Sequence, residues 1–203
     1  MQFAVLSGFL LAALAPLFHR WFGERASFVL AAFPAALALW FLSQLPAVMA
    51  GETLVLTMAW VPSLGMSLTF VVDGLSMLFA LLVTGIGTFV LIYAGGYLRG
   101  HPDLVRFHLA ILAFMVSMLG LVLADGLFTL FVFWELTSIT SYLLIGFNHT
   151  DLEARKSARQ GLFVTVAGGL ALMAGLAMLG VAGGSWSLSE LNAMGDVLRE
   201  HDL

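Results

Sequence analysis

The chain has little charge and no cysteine. Of its 203 residues, 10% are Asp, Glu, Lys or Arg, against roughly 25% in ordinary soluble domains. A soluble protein of this length could not cover its surface with so few charges, so the sequence indicates an integral membrane protein. The absence of cysteine excludes disulfides, thiolate metal sites and iron–sulfur ligation.

Several kinds of site are missing as well. No Gly-rich phosphate loop follows a strand, and no motif is typical of nicotinamide, flavin or quinone binding, so no cofactor is expected. No basic patch interleaved with aromatic residues indicates nucleic acid. Four histidines fall in predicted loops without metal-ligand spacing; they are His19, His101, His149 and His201.

Apolar residues dominate what is present. They make up 61% of the chain, and the mean hydropathy is +1.03. A spanning helix needs about 20 apolar residues, and the sequence predicts an all-α bundle of six transmembrane helices over residues 1–182. The predicted spans are 2–18, 27–49, 75–98, 107–123, 126–147 and 160–182. Residues 183–203 are predicted to be an interfacial tail that ends before further transmembrane helices.

The basic residues are distributed unevenly among the predicted loops. Seven of the eight follow odd-numbered spans: Arg20, Arg25, Arg99, Arg106, Arg155, Lys156 and Arg159. The loops after spans two and four contain none, and Arg199 lies beyond span six. The positive-inside rule therefore predicts a multi-pass protein of the inner (plasma) membrane with both termini outward.

Two segments outside the spans have patterns of their own. Residues 52–72 alternate apolar and polar side chains around the turn 62–65, which predicts a small β-hairpin in the outer loop; an irregular loop is the alternative. In the tail, Ser187 and Glu190 have the spacing of a capping box at the start of a short helix.

One carboxylate lies in the middle of a very apolar span. Glu135 is the single acid or base in "GLFTLFVFWELTSITSYLLIGF", residues 126–147. It lies about 13 Å along the helix, near the middle of a hydrocarbon layer about 30 Å thick. A charge at that depth costs at least about 2.5–3.5 kcal/mol. Glu135 is therefore expected to face the bundle interior, a partner cation or a water-filled cavity.

The same helix carries hydroxyl groups on the side of this glutamate. Ser138 and Tyr142 follow it at helical spacing and are predicted to form its supporting shell. Burial and a nearby cation shift a carboxyl pKa in opposite directions, which suits a group that takes up and releases a proton. Glu135 is thus a candidate proton-translocation residue. The alternative is a protonated glutamate that only joins helices.

The other ionisable groups have simpler interpretations. Asp73 and Asp125 stand at predicted helix ends, where capping or turn roles are favoured. His108, near the start of span four, is either a proton-entry group or a satisfied interfacial histidine. No lysine, histidine or second acid lies at mid-depth in the other five spans, so the counter-charge of Glu135 must come from a later helix or another subunit.

Three stretches carry a family resemblance. "DGLSMLFALLVTGIGTFVLIYAGGYL" (73–98), "RFHLAILAFMVSMLGLVLADGLFTLFVFWELTSITSYLLIGF" (106–147) and "ARQGLFVTVAGGLALMAG" (158–175) closely resemble the N-terminal part of the A-type subunit of Mrp-type multisubunit sodium/proton antiporters. They resemble the antiporter-like subunits of respiratory complex I more distantly. Val166 and Gly169, in "VAGG", favour the Mrp-type side.

The resemblance implies a role for Glu135 and a larger fold. The glutamate of the "WE" pair is a proton-translocation residue in that family, and its partner is a lysine on a later helix. The chain would then be the first six helices of an antiporter-like fold with inverted repeats. The implied partners are other membrane subunits of the complex, H⁺ and Na⁺ or another monovalent cation.

Three hypotheses follow for the function. The first is a subunit of a cation/proton antiporter, a secondary transporter and not an enzyme. The second is a proton-pumping subunit of a complex I-like NADH:quinone oxidoreductase or a related bicarbonate-uptake system. The third is a non-conducting assembly fragment.

Overall fold

The chain folds into a bundle of helices with a β-hairpin at one end. The structure is a computed structural model that describes residues 2–61 and 66–195. A 3₁₀ turn, Gly23–Arg25, separates the first two α-helices. The elements follow one another as α1 (Gln2–Phe22), α2 (Ala26–Met49), β1 (Leu54–Val61), β2 (Met66–Val72), α3 (Gly74–Tyr97), α4 (Leu104–Val122), α5 (Leu127–Ile145), α6 (Leu152–Gly183) and α7 (Leu188–Ala193).

The helices extend into two of the predicted loops. α1 continues to Phe22, so His19 and Arg20 lie in its last turn and not in a loop. α6 begins at Leu152, eight residues before the predicted span. The Asp151 side chain caps this start by accepting a hydrogen bond from the Glu153 amide at 3.0 Å. The cap favours helix at the start of α6. Both turns lack the apolar pattern used to predict the spans.

The apolar core lies among α1, α2, α3 and α4, and Phe70 and Val72 of β2 and Phe133 of α5 extend it. α4 is central, with Leu112, Val116 and Leu119 fully buried. A side chain at Gly120 of α4 would clash with the Phe133 ring of α5, so glycine allows these two helices to approach closely. Small residues at such crossings are typical of packed membrane helices.

The predicted hairpin is present. β1 and β2 pair antiparallel, with Leu56 opposite Phe70, and the predicted turn at 62–65 lies outside the described residues. The second edge of β2 is covered by the α4–α5 turn, where the Asp125 amide donates to the Thr69 carbonyl at 2.9 Å. Thr129 of α5 accepts from the Thr69 amide at 3.1 Å. The hairpin is therefore fixed to the start of α5.

The tail after α6 folds back onto the same end. Ser187 caps α7 by accepting from the Glu190 amide at 3.3 Å, which is half of the predicted capping box. The Glu190 carboxylate instead accepts from the Ser185 hydroxyl, at 2.5 Å. The tail is joined to α5 by the bond from the Leu127 amide to the Trp186 carbonyl, at 2.9 Å.

Five described segments are long and apolar enough to cross a membrane. The first, Ser7–Met49, contains most of α1 and all of α2. The other four are α3, α4, α5 and α6. The helical class is therefore confirmed, whereas the count of six spans stays a prediction that depends on whether α1 and α2 cross separately.

Candidate functional site

Glu135 lies near the middle of α5, as the sequence predicts. The helix runs eight residues before it and ten after it, or about 12 Å and 15 Å at the usual rise. The turn before it, residues 131–134, is apolar, and among the described residues the structure gives no ion pair for this carboxylate. The position therefore combines depth in the helix with the absence of a counter-charge in the part of the chain described.

The carboxylate faces α6. Its Oε1 atom is buried and has no hydrogen-bond partner among the described residues. A side chain added at Gly169 would clash with Oε1 and would lie 3.5 Å from Trp134 Cδ1. The carboxylate thus occupies space that any other residue at Gly169 would fill. The sequence marks this glycine for the family resemblance and as a small residue at which helices can pack. Its contact with Glu135 is visible only in the tertiary structure.

The predicted hydroxyl shell makes no hydrogen bond to Glu135. Ser138 is buried and donates to the Trp134 carbonyl at 3.2 Å, and Thr137 donates to the same carbonyl at 2.7 Å. Tyr142 is half-buried, and its hydroxyl makes no hydrogen bond with the described residues. The structure brings neither Ser138 nor Tyr142 into a hydrogen bond with Glu135. A hydroxyl in an apolar helix readily bonds to its own preceding turn.

The two aspartates at helix ends have structural contacts. Asp73 caps α3: its carboxylate accepts from the Ser76 amide at 2.8 Å, and the Ser76 hydroxyl accepts from the Asp73 amide. The hydrogen bond from the Ser76 backbone holds the pKa of the Asp73 carboxyl below its ordinary value. Asp125 is buried and accepts from the hydroxyls of Ser187 and Ser189. It therefore fixes the tail to the α4–α5 turn.

One pair of titratable groups comes together only in the fold. His19 of α1 and His108 of α4 meet with Nε2 and Nδ1 2.8 Å apart. The sequence places His19 in a loop because the apolar pattern weakens there. Trp21 and Phe22 just beyond it are the available signal that the helix continues. No group of three or more His, Asp or Glu side chains among the described residues is placed to hold a metal ion.

Two family models match the chain. One, described as "NADH-Ubiquinone oxidoreductase (complex I), chain 5 N-terminus", matches residues 58–108. The other, "NADH:quinone oxidoreductase/Mrp antiporter, TM", matches residues 124–201 and so includes α5 and α6. The chain belongs to the complex I/Mrp antiporter family.

Curated relatives in this antiporter family are named as transporter subunits. The chain is 39% identical over 194 residues to the A1 subunit of a Na(+)/H(+) antiporter from Staphylococcus haemolyticus, and 38% identical over 205 residues to the A subunit of a Na(+)/H(+) antiporter from Alkalihalophilus pseudofirmus. It is 46% identical over 158 residues to the A/B subunit of a probable K(+)/H(+) antiporter from Rhizobium meliloti. These matches cover 95%, 100% and 78% of this chain, but 24%, 26% and 16% of the relatives.

Solved structures of antiporter-related complexes share the fold. The Mrp complex from Dietzia sp. DQ12-45-1b matches 97% of this chain and 22% of its own, with a TM-score of 0.81 and 34% identity. The membrane-bound sulfane sulfur reductase, an archaeal respiratory membrane complex, matches 97% of this chain and 40% of its own, with a TM-score of 0.79. At 18% identity the second likeness shows the fold alone. The antiporter-family chain is thus a multi-pass membrane protein.

Proposed function

We propose that this chain is part of a subunit of a monovalent cation/proton antiporter and carries protons through Glu135. The observation that supports the proposal is the Glu135 carboxylate, deep in α5 with a buried oxygen that has no hydrogen-bond partner among the described residues. The names of the curated relatives supply the transport class. The chain spans about a quarter of the first of these relatives, so the activity would belong to a larger protein.

The unpartnered oxygen supports a carrier role over a structural one. A glutamate that only joined helices would donate or accept a hydrogen bond across the α5–α6 contact, because an unmade bond in an apolar layer is costly. Gly169 offers no side chain to bond with it. We propose that water or a cationic side chain from outside this chain approaches Glu135 from this side, with Ser138 and Tyr142 as supporting neighbours.

The orientation follows from the basic residues. We define the basic end as the end bearing Arg20, Arg25, Arg99, Arg106, Arg155, Lys156 and Arg159. Two contacts link the loops at this end. The Arg99–Glu24 ion pair joins the α3–α4 connection to the 3₁₀ turn, and Arg106 donates to the Gly146 carbonyl at 3.4 Å. We propose that this end is cytoplasmic, that the hairpin end is outward, and that α1 and α2 cross the inner membrane separately, which gives six spans.

The relatives are named for two different cations. Two of the relatives are named for Na⁺ and one, with the highest identity of the three, for K⁺. We propose Na⁺ or another monovalent cation. The partners would be further membrane subunits of an Mrp-type complex, one of which supplies the positive charge opposite Glu135.

The experiment replaces Glu135 by Gln in the assembled complex. Everted membrane vesicles with an imposed proton gradient are given Na⁺ or K⁺, and the pH change is followed with a fluorescent dye. We expect Glu135→Gln to reduce exchange to background, because glutamine cannot carry a proton. Glu153→Gln, at the exposed first turn of α6, is the matched control and should exchange normally.

Full exchange in Glu135→Gln would end the proposal. The second candidate, a redox-driven pump, is favoured by the complex I description of both family models. It predicts that the same vesicles take up protons when given NADH and quinone, without an imposed gradient. A non-conducting assembly role predicts neither activity, although the chain would still purify with its partners.

A further inference from the structure

Two histidine rings meet between α1 and α4 near the basic end. His19 Nε2 and His108 Nδ1 are 2.8 Å apart, a normal hydrogen-bond distance. The ring centroids are 4.9 Å apart, and the planes are tilted by 33°. Only one proton can lie between two nitrogens, so one ring donates and the other accepts.

The two rings differ in their access to the outside. His108 is 0% exposed, whereas His19 is partly exposed in the last turn of α1. The second ring nitrogen of His108, Nε2, is buried and has no hydrogen-bond partner among the described residues. Nearly all buried polar atoms in proteins are bonded, so such an atom calls for an explanation. Here a buried, unpartnered nitrogen is connected through one hydrogen bond to an accessible ring.

We propose that His19 and His108 form a proton relay between the basic end and the interior of the bundle. In the resting pair, His108 Nδ1–H donates to His19 Nε2, and His108 Nε2 is a free base. This tautomer avoids a buried N–H without an acceptor, which would be the costlier arrangement. The pair thereby presents a proton acceptor inside the bundle.

The relay step conserves protons. A proton arriving at His108 Nε2 makes that ring an imidazolium, and its Nδ1 proton passes to His19 Nε2. His19 then carries the positive charge and releases its Nδ1 proton at the partly exposed side. Rotation of both rings, or passage of a proton in the opposite direction, restores the resting tautomers. One proton enters and one leaves, with no net change in the pair.

No charged side chain in the described part of the chain bonds to either ring. The titratable groups on the packed elements are Arg20 on α1, Glu24 and Arg25 in the 3₁₀ turn, Tyr93 and Tyr97 on α3, Arg106 on α4, and Glu135 and Tyr142 on α5. α2 carries none. Glu24 pairs with Arg99, and Arg106 bonds to His149. The two histidines are thus each other's side-chain hydrogen-bond partner, and the backbone of Leu104, one turn before His108, is a further hydrogen-bond partner of that ring.

The relay lies shallower than Glu135. His108 is about 6 Å from the start of α4, and Glu135 is about 15 Å from the end of α5 at the same end of the bundle. The pair is therefore placed between the basic end and the depth of the carboxylate. The inference rests on the proposed function in taking proton movement as the activity of this bundle.

The test uses substitutions that keep the hydrogen bond but cannot titrate. Asparagine at His108 puts an amide where Nδ1 lies, and glutamine at His19 puts one near Nε2. His108→Asn, His19→Gln and the double variant are assembled into the complex. Each is assayed for exchange in everted vesicles from about pH 5 to pH 8, the range in which histidine side chains ordinarily titrate. His149→Gln, an exposed histidine, is the matched control.

We expect each single variant to lose about tenfold in exchange at the wild-type optimum and to shift the pH profile, because a positioned proton donor has been removed. The double variant should be no worse than either single one, since either change breaks the relay. His149→Gln should keep the wild-type profile. Profiles that superimpose on the wild type would overturn the proposal, as would losses that add in the double variant.

A second readout separates this proposal from that for Glu135. Solid-state NMR of the complex labelled with ¹⁵N-histidine should show coupling between two ring nitrogens across one hydrogen bond, and His108→Asn should remove it. Both signals should move together as the pH falls. Independent titration would overturn the relay even if Glu135→Gln abolishes exchange, whereas joint titration would support it even if Glu135→Gln exchanges normally.

Discussion

The two parts of the bundle are packed very differently. The closed part, α1 to α4, contains the apolar core, and 44% of the most apolar stretch of α4 is buried. The open part is α5 with α6, and only 6% of the corresponding stretch of α6 is buried. α6 packs chiefly against α5 and exposes large side chains such as Phe163 and Val181. The histidine pair lies in the closed part, and the glutamate lies in the open part.

The closed part is expected to contribute mainly to stability, and the open part mainly to proton movement. In the closed part, a methyl group added at Gly8, Gly87 or Gly120 would clash with a neighbouring side chain, so substitutions at these positions should act on stability. In the open part, one side of α5 faces α6, and the buried Glu135 oxygen lies at that contact. Substitutions there should act on proton movement with little effect on folding. Three pairs of variants test this difference between the two parts.

The largest effect is expected at Gly120 of α4. A Cβ at this position would clash with the ring of Phe133, which is 5% exposed and packs on Phe9 and Phe70 with ring centroids 6.5 Å and 5.8 Å away. The ring has little room to move, so overpacking should lower the free energy of unfolding by about 1–3 kcal/mol. Thermal unfolding of Gly120→Ala in detergent measures the loss.

Gly168→Ala in α6 is the matched control. Nothing lies within 4 Å of a Cβ added there, and alanine is the better helix former by about 1 kcal/mol in aqueous helices. The melting temperature should stay unchanged or rise slightly. If both variants were destabilised equally, the distinction between a closed and an open part would be wrong.

The next effect is expected at Gly169, beside Glu135. A Cβ there would displace the carboxylate, and small displacements of a reacting group can cost on the order of a hundredfold in rate. We expect Gly169→Ala to lower exchange about tenfold or more. The free energy of unfolding should change little, because the clashing atom, Oε1, is the far end of a flexible side chain that can move. Vesicle assays measure the loss of exchange, and melting curves on the same preparation measure the change in stability.

Gly175→Ala is the control for this prediction, because a Cβ at Gly175 also meets nothing within 4 Å. It should exchange at the wild-type rate. Normal exchange in Gly169→Ala would show that the position of the carboxylate against α6 is not important for transport.

Much of this architecture is readable from the sequence. Apolar stretches predict the spanning helices, and alternation predicts the hairpin at 52–72, observed as Leu54–Val72 in its paired strands. The errors lie at polar turns. α1 and α6 extend through arginines and lysine because capping and helix continuation are local hydrogen-bond effects, which hydropathy does not register. Tertiary packing also decides which helices are covered, and no periodicity indicates that.

The site is predictable in part. The depth of Glu135 in its helix follows from its place in an apolar run, whereas the residues that contact it in space cannot be predicted from that run. Spacing puts Ser138 and Tyr142 beside it, but the Ser138 hydroxyl bonds to a backbone carbonyl of its own helix. The residue that contacts the carboxylate, Gly169, has no side chain to suggest a role. The pairing of His19 with His108 joins positions 89 residues apart and could come only from the fold.

The smallest effect concerns two helix starts within the closed part. Asp73 caps α3 through hydrogen bonds with Ser76, whereas Asp103, at the same position of α4, makes no side-chain cap. Because the bond from the Ser76 backbone lowers the folded pKa of Asp73 below its ordinary value of 3.8, its ionised form stabilises the fold. That contribution is complete above the ordinary pKa and is lost as the pH falls through the folded pKa.

Asp73→Asn keeps an acceptor at the cap but cannot ionise. It should therefore lower the free energy of unfolding at neutral pH by less than about 1 kcal/mol, and the gap to the wild type should close under strong acid. Melting curves recorded from neutral to acidic pH measure both quantities, with Asp103→Asn as the control. A gap that persisted unchanged in acid would mean that Asp73 acts through hydrogen-bond geometry and not through charge. The cap of α3 would then depend on the Ser76 contacts alone, and the two helix starts would differ only in the presence of that serine.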